Sequence, residues 1–492
     1  MPEATQVRRY EQARDTLEAM GQGHVLRFFD ELDDAGQARL LDEIESVDWP
    51  EVQRLIDTHV RVKPAVHLPE HIEPAPWYPV EPDADLAPRY HEARQLGEQL
   101  VREGKVAVFT VAGGQGTRLG WDAPKGTFPA TPIRKASLFA VFAEGIRKLQ
   151  RKYNTTLHWY VMTSPHNDAP TRAFFAEQDH FDLDPERITF FSQGMMPALD
   201  RESAKVLMDD RDRIALSPNG HGGSLKALAA SGALASMQQR GIEQISYIQI
   251  DNPHVKVIDS LFIGLHALDK AQMSSKMLPK AYPEEKLGNF CLVDGKVTVI
   301  EYSDLPDELA RQRRPDGELR FRAGSIAVHA MRVDFVASLT GESKGFSLPY
   351  HRAEKKVGHI DLDTGQRIEP ETPNAVKLET FVFDALPLCD RSIVYETDRV
   401  EEFAPIKNAE GVDSPVSSRV LQIERAARWL ESAGVAVPRR DEPVDASTGL
   451  AEVIPRAVDA VIEVRPLTAV EANDLAKVQL PQRVERGGEL LL

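Results

Sequence analysis

Residues 106–126 hold the densest grouping of phosphate-handling residue types in the chain. The apolar, β-branched run Val106-Ala-Val-Phe-Thr-Val111 breaks into Ala112-Gly-Gly-Gln-Gly-Thr-Arg-Leu-Gly120 and then Trp121-Asp-Ala-Pro-Lys-Gly126. Glycines let a backbone turn tightly and bring its N–H groups up to an anion, which Arg118 and Lys125 would neutralise. The helix-patterned segment Ser137–Tyr153 follows, so the loop reads as a phosphate site at the carboxyl end of a buried strand. Two better-known loops do not match. The dinucleotide fingerprint G-x-G-x-x-G is exceeded by one residue in Gly114-Gln-Gly116-Thr-Arg-Leu-Gly120, and the P-loop triplet G-K-[ST] is absent because Lys125 precedes Gly126.

No serine, cysteine or histidine falls in a recognisable nucleophile–base arrangement, and no zinc spacing occurs. A phosphate loop, dispersed cations and strand-end acids suit phosphoryl or nucleotidyl transfer, where catalysis is chiefly positioning and charge stabilisation. Asp251 closes the buried run Gln244-Ile-Ser-Tyr-Ile-Gln-Ile250. A carboxylate there can hold Mg²⁺ against phosphates or serve as an ordinary turn or cap residue, and the residues alone leave both open.

The elements that must position these groups follow from periodicity. Helices are expected over Glu92–Glu103, Leu138–Tyr153, Thr171–Gln178 and Ser224–Arg240. Strands are expected over Val106–Val111, Leu157–Thr163, Ile188–Ser192 and Gln244–Ile250. This alternation implies βαβ units around a mostly parallel, doubly wound sheet, with the glycine loop and Asp251 at one carboxyl edge. Asp294-Gly295 between Phe290–Val293 and Val297–Glu301 signals a hairpin, so Glu301-Tyr302 ends a returning strand. Thr5–His59 reads as helical throughout, with Asp34 as a cap. Val62–Arg89 carries Pro64, Pro69, Pro74, Pro76, Pro79, Pro82 and Pro88 and reads as a semi-extended connector. Beyond the helix Val420–Ala433 the pattern suggests a small, largely β C-terminal domain with a frayed end at Glu485–Leu492. The division expected is therefore 1–90, 91–400 and 401–492.

At 492 residues the chain is long enough to bury a core without disulfide or metal staples. Lys plus Arg number 59 against 76 Asp plus Glu, a net charge of −17 that disfavours nucleic acid or an anionic membrane as partner. The phosphate-binding cations must therefore be concentrated locally. Cys291 and Cys389, the only cysteines, read as buried thiols in a reducing compartment. No targeting signal or membrane-length apolar run is visible, so a soluble, cytoplasmic protein is expected, as a monomer or weak homo-oligomer.

G-G-x-G-T-R-L-G followed by P-K-G resembles the nucleotide loop of the UDP-sugar pyrophosphorylases, and Ala112–Gly120 resembles that of their UDP-N-acetylglucosamine branch in particular. The similarity continues in the family's order through Phe190-Phe-Ser-Gln-Gly-Met-Met-Pro197, Pro218-Asn-Gly-His-Gly-Gly223, Ile250-Asp-Asn252 and Glu301-Tyr302. Ala323-Gly324, Lys377-Leu-Glu-Thr-Phe-Val-Phe-Asp384 and Pro405-Ile-Lys-Asn408 complete it. The resemblance implies an α/β nucleotide-diphospho-sugar transferase (GT-A-like) fold with a helical N-terminal and a small C-terminal domain. It also implies a Mg²⁺-dependent uridylyltransferase that converts UTP and a sugar 1-phosphate to UDP-sugar and pyrophosphate.

Residue roles come with the resemblance. Backbone at Ala112, Gly113 and Gly114 would hold the nucleotide, with Arg118, Lys125, Lys377 and Lys407 on phosphates and Asp251 on the metal. Gln193 and Gly220 match positions on the uracil; a glutamine offers a donor and an acceptor side by side, which suits a pyrimidine edge. Glu301 and Tyr302 match an acceptor-sugar dipeptide, and Phe381 and Phe383 match a sugar-pocket wall, although Phe-Val-Phe also suits a core strand. Two positions depart from the pattern: His221 and Ser325 stand where the N-acetylglucosamine branch usually has asparagine. N-acetylglucosamine 1-phosphate is the favoured acceptor, with glucose or galactose 1-phosphate as alternatives. A catalytically inactive UDP-sugar-binding protein would not need to keep Arg118, Lys125, Asp251, Lys377 and Lys407 together. A glycosyltransferase would carry an acidic D-x-D element, which Asp251-Asn-Pro is not.

Overall fold

The strand-and-helix alternation builds a ten-stranded mixed sheet. In the computed structural model, which describes residues 2–63, 71–341 and 348–492, Gln244–Gln249, Val106–Val111, Trp159–Thr163 and Ile188–Ser192 lie side by side in parallel. The long strand Ala323–Arg332 pairs antiparallel to Gln244–Gln249 and to Met273–Pro279, and the latter pairs in parallel with Ser392–Glu396. Asn289–Val293 and Lys296–Ile300 form the expected hairpin. Asp294 at φ 49° and Gly295 at φ 75° supply the two left-handed residues of its turn.

The chain divides into two compact units, each assembled from separated segments. The sheet belongs wholly to the one formed by Pro69–Ser192, Leu228–Gly345 and Ala385–Leu492. The other comprises Met1–Leu68, Gln193–Ala227 and Phe346–Asp384. This differs from a division into 1–90, 91–400 and 401–492, because burial rather than chain order decides which segments share a core. In the second unit Leu17, Leu40, Leu41 and Leu55 of the N-terminal region pack with Met196, Leu199, Ile214, Val376 and Leu378. Buried Gln22 ties the two stretches by accepting from Val206 N–H at 2.9 Å and donating to the Ala204 carbonyl at 3.2 Å. A three-stranded antiparallel sheet, Tyr350–Lys355, Ala375–Thr380 and Leu199–Asp200, completes that unit.

Local details depart from expectation for identifiable reasons. The N-terminal region is not continuous helix but Pro2–Ala19, Asp34–Ser46 and Trp49–Leu55 joined by tight turns. Asp33, not Asp34, caps the second helix, accepting from Gly36 N–H at 2.7 Å. The helix expected over Ser224–Arg240 is broken into Gly223–Ala230 and Ala233–Gln239 by Gly232 at φ 79°. Part of the proline-rich connector, Pro64 and Pro69 included, lies outside the described residues. Its remainder adds to the sheet, with Glu73–Pro74 pairing Cys291 and Leu292, and Tyr78 exchanging backbone hydrogen bonds with Val394 and Glu396.

The C-terminal segment is mostly turns rather than largely β. Nor is its end frayed: Glu489–Leu491 pairs in parallel with Val461–Glu463, and the Leu492 amide donates to the Glu463 carbonyl at 3.0 Å. Short β-branched pieces between prolines cannot extend a ladder, yet Ile462 and Leu475 still anchor a small core on the helix Pro415–Ser432. Cys291 and Cys389 are free and buried, and burial pushes both thiols up to about 12. No helix among the described residues is long and apolar enough to cross a membrane.

Two features lock the sheet-bearing unit. The helices Ala87–Arg102 and Ser260–Leu268 cross at backbone contact: a Cβ on Gly97 would stand 1.7 Å from the Ser260 carbonyl oxygen, and one on Gly264 1.7 Å from that of Ala93. Beside this crossing lies a buried ion cluster. Lys276 Nζ donates to Asp259 at 2.6 Å and to Glu402 at 2.5 Å, and Lys256 Nζ lies 3.2 Å from Glu402. The two lysines hold both carboxyls below the usual carboxylate range despite their burial. Asp259 also caps the helix Ser260–Leu268, and Thr397 donates to Glu402 at 2.8 Å.

Alanine is a better helix former than glycine by about 1 kcal/mol. Gly97→Ala is nevertheless expected to lower the unfolding free energy by about 2–3 kcal/mol because of the overpacking it forces. Urea denaturation measures this, and a gain in stability would show that the helices can separate. Lys276→Met leaves two buried carboxylates facing one lysine and should cost about 3–5 kcal/mol at neutral pH. Because the folded-state carboxyl pKa values are depressed, the cluster's contribution is complete above the unfolded value near 4 and is lost as pH falls through the folded values. The deficit of the variant should therefore shrink in acid, and a pH-independent deficit would contradict the assignment.

Candidate functional site

The glycine loop leaves the sheet at Val111. The Ala112 amide is spent on the Met162 carbonyl at 2.8 Å, prolonging the ladder by one bond. Ala112 therefore has no amide to spare, whereas the Gly113 and Gly114 amides meet no acceptor among the described residues. Lys125 N–H donates to the Gly114 carbonyl at 3.1 Å, closing the loop on itself. Gly126 lets this closure lie flat on the helix Leu138–Tyr153, since a Cβ there would fall 2.1 Å from the Phe139 ring.

A buried side chain that the sequence did not single out braces the loop from behind. Asn167 Nδ2 donates to the carbonyls of Ala112 at 3.0 Å and Gly114 at 3.3 Å, and its Oδ1 accepts from Ser164 N–H at 2.7 Å. An isolated asparagine far along the chain carries no spacing signal, so only the fold reveals it.

Opposing charges gather at the carboxyl edge of the sheet. Lys125 Nζ lies 3.6 Å from Asp251, both largely buried. The Asp251 carbonyl accepts from Ile406 N–H at 2.9 Å, which brings Lys407 to the same edge. Asn252 fastens this junction: its amide donates to the Glu402 carbonyl at 2.6 Å and its oxygen accepts from Ala404 N–H at 3.0 Å. Lys407 Nζ stands 3.6 Å from Asp413 and over the Phe403 ring at 5.3 Å. Burial raises the Asp413 carboxyl, Lys407 opposes that shift, and the nearby charge of Asp251 adds to it. Arg118 is exposed on the turn Thr117–Leu119 and makes no ion pair among the described residues. No group of three His, Cys, Asp or Glu side chains suited to a metal cage occurs among those residues.

Glu301 directly follows the strand Lys296–Ile300, as its hairpin requires. Its Oε1 lies 3.1 Å from where a Gly288 Cβ would stand, and the Gly288 carbonyl accepts from Ser325 N–H at 2.8 Å. Glu301 and Ser325 thus flank one glycine, beside the buried Lys280, whose ammonium donates to Asn289 at 3.2 Å. Tyr302, the next residue, is 44% exposed.

The remaining expected residues lie on the other unit. Gly220 takes φ 84°, and a Cβ on it would meet the Thr380 carbonyl at 2.3 Å. This close approach threads the 219–223 turn onto the strand Ala375–Thr380, with Thr380 N–H bonded to the Asn219 carbonyl and Gly222 N–H to that of Thr380. His221 is thereby set against both phenylalanines, 5.3 Å from Phe381 in a stacked arrangement and 5.6 Å from Phe383. Its Nδ1 accepts from Val382 N–H at 3.1 Å, which fixes the proton on Nε2. Burial, with the nearby His351, pushes His221 down to about 4. His351 stacks on the other side of the cluster, 4.5 Å from Phe381, and bonds Asp384 at 2.7 Å. Gln193 is buried at the start of this segment, and Lys377 is half-buried on the strand, where burial lowers its pKa. Phe383 is buried and Phe381 only partly so, consistent with one ring packing the core and the other facing outward.

Residues 63–434 match the family model described as UTP–glucose-1-phosphate uridylyltransferase. The chain is 36% identical over 443 residues to the UDP-N-acetylhexosamine pyrophosphorylase-like protein 1 of Xenopus tropicalis, covering 86% of this chain and 85% of that one. It is 36% identical over 374 residues to the UDP-N-acetylglucosamine pyrophosphorylase of Saccharomyces cerevisiae, covering 74% and 78%. Among solved structures, the uridine diphosphate N-acetylglucosamine pyrophosphorylase of Trypanosoma brucei superimposes with a TM-score of 0.77 at 25% identity, covering 98% of both chains. A matching motif order, an extended family match and a shared fold lead to one assignment: the chain belongs to the UTP–glucose-1-phosphate uridylyltransferase family.

Proposed function

We propose that this protein transfers the uridylyl group of UTP to N-acetylglucosamine 1-phosphate, releasing pyrophosphate. The observation that carries the reading is the meeting of Lys125, Asp251 and Lys407 beside a glycine loop at one sheet edge. A phosphate oxygen of the sugar phosphate forms the new bond to the α-phosphorus, and the bond from that phosphorus to the bridging oxygen of pyrophosphate breaks. The nucleophile is already anionic, so no general base is required. Gly113 and Gly114 amides hold the nucleotide, Lys125 and Arg118 stabilise charge on the leaving pyrophosphate, and Lys407 and Lys377 serve the remaining phosphates. On the sheet-bearing unit Glu301 and Ser325 are assigned to the sugar; on the other unit Gln193 and Gly220 are assigned to the uracil, and His221, Phe381 and Phe383 to sugar recognition.

Asp251 is the residue that would hold Mg²⁺. This ion favours one or two carboxylates plus substrate phosphates over an all-protein cage. Asp251 with the adjacent Asp413, among lysines, fits that habit. Bound there, the ion supplies charge neutralisation on the triphosphate. We further assign the protein to a reducing compartment, the cytoplasm, on its two free buried thiols, and take a monomer or weak homo-oligomer as its working state.

Sugar choice turns on His221 and Ser325. Asparagine presents a carbonyl and an amide together, whereas His221 is an aromatic ring whose Nδ1 is committed to Val382, and serine is shorter. This specific difference favours glucose or galactose 1-phosphate as a second acceptor.

Pyrophosphate release from UTP with a panel of sugar 1-phosphates tests the reading, and absence of turnover with every acceptor would overturn it. Asp251→Ala should lower kcat by about 10²–10³ with folding intact, and activity should vanish in excess chelator. Arg118→Ala should lower kcat far more than it weakens UDP-sugar binding, the signature of a contact made mainly in the transition state. His221→Asn with Ser325→Asn should raise the kcat/KM ratio of N-acetylglucosamine 1-phosphate over glucose 1-phosphate. Because His221 titrates only near 4, that ratio in the parent should be flat from pH 5.5 to 8; a change across that window would show that another group sets the preference.

A further inference from the structure

Asn167, the brace behind the glycine loop, is fully buried in the turn between the strand Trp159–Thr163 and the helix Asp168–Glu177. This turn is fixed without help from the loop. The amides of Asn167 and Asp168 donate to the Ser164 carbonyl at 3.0 and 2.9 Å, and the Thr163 hydroxyl donates to Asp168 at 2.5 Å. Its partners also decide which way the carboxamide faces. The oxygen accepts from Ser164 N–H at 2.7 Å and from the Ser164 hydroxyl at 3.1 Å, so Nδ2 must face the Ala112 and Gly114 carbonyls, which can only accept. Both donors and both acceptor sites of the side chain are thereby used.

Peptide geometry carries this hold to the opposite side of the loop. A trans peptide is planar, with its C=O and the following N–H pointing opposite ways, and no peptide bond among the described residues is cis. Drawing the Ala112 carbonyl to Asn167 at 3.0 Å therefore turns the Gly113 amide away, and drawing in the Gly114 carbonyl at 3.3 Å turns the Gln115 amide away. Lys125 N–H holds the Gly114 carbonyl as well, at 3.1 Å. The amides of Gly113, Gly114 and Gln115 meet no acceptor among the described residues, which leaves three successive N–H groups to be satisfied by something else. The loop has room there: Gly114 and Gln115 are exposed, and a Cβ on Gly114 would meet nothing within 4 Å. Successive amides left bare in this way bind anionic oxygens.

We propose that Asn167 is the positioning residue of the nucleotide loop, holding back two carbonyls so that the Gly113 and Gln115 amides face the bound nucleotide, and that the Gln115 amide joins those of Gly113 and Gly114 in holding it. This role rests on the reading of the loop as the nucleotide site. Asn167 itself touches no substrate. Without its two N–H groups either peptide plane is free to turn over, presenting a carbonyl oxygen where the nucleotide needs a donor. Such an exchange sets two acceptors against each other, so the loss falls on nucleotide affinity and leaves binding of the acceptor sugar phosphate alone.

The test uses the full chain with UTP as the probe, by calorimetry without sugar phosphate and by steady-state kinetics with it. Asn167→Ala should weaken UTP binding and raise its KM by about tenfold or more, the worth of a hydrogen bond to a charged group. The KM of N-acetylglucosamine 1-phosphate should move by less than about twofold, whereas general loosening of the fold would raise both. Asn167→Asp keeps the shape of the side chain and its acceptance from Ser164 but has no N–H for the carbonyls, so it should match Asn167→Ala. Gln115→Pro removes one exposed N–H that has no partner within the chain, and it follows a glycine, which tolerates a proline after it. It should weaken UTP by about fivefold or more, and it decides the matter if neither Asn167 variant folds. Parent-like UTP affinity in Asn167→Asp, an equal rise in both KM values, or retained affinity in Gln115→Pro would overturn the proposal. Failure of the parent itself to bind UTP would overturn the nucleotide reading of the loop, and this role with it.

Discussion

The buried cluster of Lys276, Lys256, Asp259 and Glu402 is the constraint on which the sheet-bearing unit depends. Charges taken out of water are tolerated only when each finds its opposite in a fixed place. Here they join three pieces of chain: the strand Met273–Pro279, the capped start of the helix Ser260–Leu268, and the segment that runs from Glu402 to Lys407. Asn252 then spans from the end of the central strand to the same segment. The position of Lys407 beside Asp251 follows from these attachments rather than from anything local to Lys407. A flexible lysine on its own loop would have no fixed place, whereas Lys407 is tethered within five residues of a buried ion pair.

The glycine loop and the strands around it were legible in the sequence because backbone chemistry leaves strong local marks. Val106–Val111 and its glycines, Asp251 at a strand end and the Asp294-Gly295 turn each depend on residues close in the chain. What was not legible depends on contacts between distant residues. Asn167 braces the glycine loop from more than fifty positions away, and Lys276 reads as an interruption in a strand until Asp259 and Glu402 are placed around it. The C-terminal strand at Glu489–Leu491 failed for the same reason, since its partner at Val461–Glu463 is too short to announce itself. Gly97 gave no sign of the helix crossing because a mid-helix glycine is ordinarily only a weak point.

His221 illustrates how a side chain can serve a fold contact and an aromatic cluster at once. The acceptor that the Val382 amide finds is a ring nitrogen, so the turn keeps its attachment to the 380–383 strand end. The ring itself stacks on Phe381 and lies tilted to Phe383. The backbone path of the turn is held by Gly220, at φ 84° against the Thr380 carbonyl.

The interleaved origin of the smaller unit bears on how the protein is made. Its N-terminal helices pack on residues as distant as Ile360, Val376 and Leu378. At synthesis rates of about 5–20 residues per second, the first helices wait on the order of twenty seconds or more before those partners emerge. Throughout that interval Leu17, Leu40 and Leu55 have no complete core to enter, and the contacts they eventually make are among the longest-range in the chain. Nascent chains of this protein are therefore most exposed to association and to chaperone capture at their amino-terminal end, although that end is the first to be made.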